Sequence, residues 1–195
     1  MEFRLVTSTS ERTYYLLIAS SALIFLVLPF VTTFNELLTA FVIKIKLYVL
    51  IENFVVPLEA RVVAGLANTF FGVKAYVVNK SILLQQADRN FIAYISWNCI
   101  GWQSLILFAF TTLTGLRGDY TRSSKLMAAL IGIQGTILLN IGRILLIILV
   151  AMLWGYLPSL IIHDYAGTLL VLIWLAAFWE LSYRYILQPI AGASN

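Results

Sequence analysis

Residues 126–154 read LMAALIGIQGTILLNIGRILLIILVAMLW, an apolar run that carries a single charge, Arg143. As a helix rising about 1.5 Å per residue it is about 43 Å long, enough to cross a hydrocarbon core of about 30 Å. An arginine set between Leu-Leu-Asn-Ile-Gly and Ile-Leu-Leu-Ile-Ile is costly to bury in lipid, and such residues are usually retained for function. Two further apolar runs flank this one, Trp97 to Leu116 before it and Asp164 to Tyr183 after it. The connections are short, so the three predicted helices are antiparallel neighbours in one bundle.

Composition agrees with a membrane environment. The 195 residues are 61% hydrophobic and only 11% charged, with a mean hydropathy of +0.92, more apolar surface than a soluble domain of this size can bury. The net charge of +4 comes from 13 Lys and Arg scattered between apolar runs, which is the pattern of topology-setting loops and not of a nucleic-acid interface. The loop Arg117 to Lys125 holds Arg117, Arg122 and Lys125, whereas Gly155 to Ile162 holds no Lys or Arg. The first loop is therefore expected in the cytoplasm and Cys99 and His163 on the outer side. Membrane lipids are expected to surround the chain, and no nucleic acid is expected to bind it.

The N-terminal third is less regular. Tyr14 to Phe34 is long enough to span and too long for the apolar region of a signal peptide, and it lacks a small-residue cleavage site. Leu37 to Pro57 carries Lys44, Lys46 and Glu52; it either crosses, giving five spans and an external N-terminus, or lies in the interface, giving four and a cytoplasmic one. A mildly amphipathic stretch runs to Phe71, and Gly72 to Asn90 reads as a hairpin about polar Asn79-Lys80-Ser81. The expected fold is an all-α polytopic membrane protein, a bundle of four to six transmembrane helices with a short external hairpin before the cysteine helix. We divide this single domain into N-terminal membrane helices over 1–56, a catalytic core over 57–183 and a tail over 184–195.

The chain has one cysteine and one histidine. One cysteine forms no internal disulfide, and one residue of each kind falls short of a zinc ligand set, so no metal and no cofactor are expected. Cys99 lies 18 residues before Arg117 and Arg143 lies 18 after Lys125, which at about 1.5 Å per residue puts both about 27 Å above the cytoplasmic loop. His163, 21 residues before Arg184, falls about 31 Å above its inner boundary, within a turn of the other two. Taken singly, each has a plainer use: a cysteine packs as a small hydrophobe, a histidine sits at an interface, an arginine snorkels. Their shared depth is what those separate uses do not require.

A thiol, an imidazole and a fixed cation at one face are the parts of a cysteine-nucleophile active site. His163 would take the thiol proton and return it to the leaving group. Arg143, always protonated, would stabilise the thiolate and the developing oxyanion. Asn140, one turn before Arg143, would orient the guanidinium or donate to the oxyanion. Ser96, Cys99 and Gln103 would form a polar stripe on one helix face, and Gly101, Gly132, Gly135 and Gly142 would be close-packing positions.

This ordered set resembles the exosortase and archaeosortase transpeptidases. The likeness rests on Cys-x-Gly with a serine shortly after (Cys99, Gly101, Ser104), Asn-x-x-Arg in the next helix (Asn140, Arg143) and a histidine at the start of the following one (His163). It covers Pro57 to Tyr183, in a chain shorter than the larger members and of the histidine-bearing kind. The resemblance implies catalytic Cys99, Arg143 and His163, supported by Asn140, Ser104 and Gly101. It implies secreted substrates bearing a C-terminal motif, transmembrane helix and basic tail, cleaved through an acyl-enzyme and transferred to a lipid or glycan acceptor. The alternatives are a small transporter or channel subunit using Arg143 as an ion site, or an assembly subunit. A palmitoyl transferase is disfavoured by the absence of Asp-His-His-Cys, and a glutamate-based intramembrane protease by the absence of a Glu-Glu pair in a span.

Overall fold

A computed structural model describes residue 33 and residues 35–86 and 89–190, in two compact units that divide between Lys44 and Ile45. The expected span Tyr14 to Phe34 lies, Thr33 apart, outside the described residues. In the first unit residues 35–44 are helical. Lys46 takes a left-handed φ of 58°, so Leu37 to Pro57 is not one continuous helix.

The second unit opens with α1 (Leu47–Leu50) and a π-helical turn (Ile51–Val55) that lead into α2 (Val56–Phe71). Pro57, which has no amide hydrogen to donate, stands where the π-helical turn passes into α2, and Gly72 ends α2 in the left-handed conformation (φ 64°). Three antiparallel strands follow in the order β1 (Lys74–Val78), β2 (Ser81–Gln86) and β3 (Arg89–Tyr94). Asn79, left-handed at φ 56°, makes the tight turn that pairs Val78 with Ser81. The Asn68 side chain joins α2 to the sheet, accepting from the Ala75 amide (2.6 Å) and donating to the Ala75 carbonyl (3.2 Å).

The sheet corrects the all-α expectation. Residues 89–94, on the far side of the anticipated hairpin, add a third strand because alternation places Phe91 and Ala93 against the core while Ile92 and Tyr94 face out.

Beyond β3 come a 3-10 turn (Trp97–Cys99), α3 (Trp102–Gly115), α4 (Arg122–Trp154), α5 (Tyr156–Ile161), a π-helical turn (Ile162–Ala166), α6 (Gly167–Leu181) and a last π-helical turn (Ser182–Ile186). Two correct the sequence reading. The expected span Trp97 to Leu116 begins five residues later, because Gly101 is left-handed (φ 74°) and breaks the helix; the 14 residues of α3 are about 21 Å long. Gly155 to Ile162, expected as a loop, contains α5, set off from α4 by Gly155 at φ 90°. Among the described residues two helical segments are long and apolar enough to cross a membrane, Arg122–Trp154 and Gly167–Ile186.

Two cores hold these elements. In one, Val56, Ala60, Val63 and Ala67 of α2 and Ile82 and Leu84 of β2 pack with Ile144 and Ile148 of α4. In the other, Phe108 of α3, Ala128 of α4 and Leu175 and Phe178 of α6 pack together. Gly132 and Gly135 let the rings of Phe108 and Trp174 lie against the α4 backbone, where a Cβ would overlap them. Gly142 has nothing within 4 Å of its Cβ position and is not such a contact. The first core fixes the sheet, and with it the chain entering Cys99, against the segment of α4 that carries Asn140 and Arg143.

Candidate active site

Cys99 stands at the end of the 3-10 turn, before α3 begins. Ser96, in extended conformation, caps that turn: its Oγ accepts from the Asn98 amide (3.2 Å) and lies 3.5 Å from Cys99 Sγ. The chain then reverses at Gly101, and a Cβ there would lie 2.7–2.9 Å from side-chain atoms of Asn140. Glycine is demanded twice, by its left-handed φ and by the close passage over Asn140. Stacked rings of Trp97 and Trp102 (5.9 Å, 17°) flank the turn, and Tyr48 packs on Trp97.

The other two groups come from α4 and from the π-helical turn before α6. Cys99 Sγ is 3.4 Å from His163 Nε2 across 64 residues of chain, and His163 Nδ1 is 3.0 Å from Asp164 Oδ1. A carboxylate only accepts, so Nδ1 carries a hydrogen toward Asp164 and Nε2 faces the thiol as the nitrogen that takes its proton. Arg143 Nη2 donates to the His163 carbonyl (3.1 Å), while its Nε is buried with no partner among the described residues. Gly167 makes room for this arrangement, since a Cβ there would overlap the guanidinium.

Electrostatics favour an ion pair. Burial pushes the Cys99 thiol up, but hydrogen bonds from His163 and Ser96 and the charge of the imidazolium outweigh it and hold the thiol below its ordinary value. The hydrogen bond to Cys99 raises His163 above its ordinary value, helped by Asp164 and the thiolate and opposed by burial and by Arg143. A lowered thiol beside a raised imidazole shifts the pair toward a thiolate facing an imidazolium.

Asn140 shares the Arg143 face of α4, but its amide turns elsewhere. Nδ2 donates to the Cys99 carbonyl (3.0 Å) and to Glu59 Oε1 (2.8 Å), and makes no bond with the guanidinium. Cys99, Arg143, His163, Asn140 and Gly101 thus converge. Ser104, half-buried in the first turn of α3, makes none of the hydrogen bonds that join the cluster among the described residues. The expected stripe of Ser96, Cys99 and Gln103 does not form, because these residues are not on one helix; Gln103 bonds Asn98 instead (2.6 Å).

Two neighbours of this cluster were missed from sequence. Asp164 was legible as the neighbour of the only histidine. Glu59 had a weaker signal, a carboxylate among the small apolar residues of α2, and only packing against α4 reveals its place.

No curated protein and no solved structure matches the chain. The family model for transmembrane exosortase (Exosortase_EpsH) matches residues 5–180, nearly the whole length. The meeting of the chain's only thiol with its only imidazole, beside an arginine in an apolar helix, occurs within that matched region, and the chain belongs to the transmembrane exosortase family.

Proposed function

We propose that this membrane protein is a cysteine transpeptidase that cleaves the C-terminal sorting signal of secreted proteins at the extracytoplasmic face and passes the product to a lipid or glycan acceptor. The observation that carries the reading is the 3.4 Å approach of Cys99 Sγ to His163 Nε2, with Arg143 bonded to the carbonyl of that same histidine. The family supplies the substrate class: a short motif, a transmembrane helix and a basic tail. The placement of the site on the outer face is supported by the basic loop near Arg117 at the other end of α3 and α4.

In this mechanism the Cys99 thiolate attacks the scissile carbonyl carbon. A C–S bond forms, and the displaced π electrons become an oxyanion facing the guanidinium of Arg143. The tetrahedral adduct collapses and the C–N bond breaks; the departing amine takes the proton held on His163 Nε2. The acyl group remains on sulfur as a thioester. The acceptor then attacks that carbonyl, gives its proton to His163 and expels the Cys99 thiolate, which restores the starting pair. Asp164 holds the imidazole in orientation, as the third group of such sets does.

Co-expression with a secreted protein ending in motif, apolar helix and basic tail tests this reading. Cys99→Ala is expected to leave the substrate full-length while the enzyme inserts and folds, since the change removes little apolar volume. Normal processing by that variant ends the nucleophile assignment.

A further inference from the structure

Glu59 lies outside the catalytic set yet touches its scaffold. It is 8% exposed, on the face of α2 that packs against α4, and one carboxyl oxygen accepts from Asn140 at 2.8 Å while the other is buried with no partner among the described residues. Asn140 is 5% exposed, and its two amide hydrogens have two acceptors, Glu59 Oε1 and the Cys99 carbonyl. A chain of contacts therefore runs from α2 through α4 to the turn that presents the thiol.

We propose that Glu59 is a positioning residue for the reaction: by accepting from Asn140 it sets which way that amide points, and so holds the Cys99 carbonyl and aims the thiol at His163. This rests on the nucleophile assignment above. An asparagine side chain has an oxygen and a nitrogen of nearly equal shape, and what lies around it decides their order. Cys99 offers a carbonyl, which only accepts. If the amide turned over, two oxygens would face each other there and again at Glu59. Glu59 supplies the second acceptor that makes the flipped state unfavourable twice over.

Gly101 tightens the coupling. With its Cβ position 2.7–2.9 Å from Asn140, the backbone after Cys99 lies directly on the Asn140 side chain, so movement of that side chain is passed to the turn. The reacting distance at stake is the 3.4 Å between Sγ and Nε2, where displacement of about 1 Å costs on the order of a hundredfold in rate. The charged groups about the thiol are His163 and Arg143, with Asp164 behind the imidazole. Glu59 acts through geometry and not as one of them.

The full chain in nanodiscs tests this with Glu59→Ala, which removes the acceptor, and Glu59→Gln, which keeps a carbonyl oxygen as acceptor. The readouts are the pH midpoint of Cys99 alkylation by iodoacetamide and the processing of a co-expressed substrate. Glu59→Ala is expected to move the midpoint upward, because the thiol loses its aligned imidazole, and to slow processing on the order of tenfold to a hundredfold. Glu59→Gln is expected to stay within about threefold of wild type in rate, with its midpoint near the original. Where Glu59→Ala folds poorly, Glu59→Leu with Asn140→Leu fills the space without polar atoms, and its midpoint is still expected to rise.

A wild-type midpoint in folded Glu59→Ala, or in the double leucine variant, overturns the proposal and leaves Glu59 as packing. Because alkylation does not depend on turnover, this result is separable from failure of the nucleophile assignment, which shows as processing by Cys99→Ala.

Discussion

Gly167→Ala makes the sharpest test of how the arginine is held. Gly167 is buried at the start of α6 with an ordinary helical φ of −59°, so alanine strains no backbone there. On helix propensity alone the change stabilises by about 0.5–1 kcal/mol. The new Cβ, however, overlaps Cζ, Nε and Nη2 of Arg143, and the guanidinium must leave. A flexible side chain moves at little steric expense, but the bond from Nη2 to the His163 carbonyl at 3.1 Å goes with it, and hydrogen bonds to charged groups contribute about 1.5–3 kcal/mol. The net destabilisation is about 0.5–2.5 kcal/mol, small for the fold. The effect on catalysis is larger, on the order of a hundredfold or more, because an oxyanion donor moved off target is as good as removed. Gly142→Ala is the matched control in the same site region: with open space at its Cβ it keeps only the propensity gain. Thermal unfolding in nanodiscs and processing of a co-expressed substrate read the two effects. Wild-type processing by a folded Gly167→Ala enzyme would refute the placement of the guanidinium.

Arg143→Lys separates a planar fork from a mere charge. If the residue only snorkels to the interface, lysine serves equally; as a bonded guanidinium it does not, and processing is expected to fall tenfold to a thousandfold. His163→Ala is expected to raise the pH midpoint of Cys99 alkylation, since it deletes both the hydrogen bond and the positive charge that hold the thiol low. Combined with Cys99→Ala, His163→Ala is expected to process substrate little worse than either single variant; multiplicative losses would show that the two residues act separately.

The class of the molecule and the candidates for its reacting groups were legible in the order of residues. The 29-residue apolar run at 126–154 compels a membrane helix because no soluble core of this size can hide it, and the cost of one guanidinium inside it marks Arg143. A single cysteine and a single histidine leave little choice of candidate nucleophile and base. Counting helical rise brought them to one level, although the helix counted for Cys99 does not begin until Trp102. Depth along an axis follows from sequence because helical rise is constant; direction around the axis and contacts between helices do not.

Those were decided by packing. Asn140 was read with Arg143 because one turn of helix makes them neighbours, yet a buried amide goes where acceptors lie, and α2 brings Glu59 to it from 81 residues away. Gly142 looked like its fellow glycines but faces open space, while Gly167, unremarked in the sequence, makes room for the guanidinium. Residues 89–94 joined a hairpin as a third strand because β2 offered a free edge and the core an apolar face, neither of which can be seen in the strand itself. The chain by itself determined which chemical groups are present and how far apart along a helix they lie. Only the tertiary structure decided which of them touch, because hydrogen bonds and side-chain contacts depend on elements far apart in sequence meeting within a few ångströms.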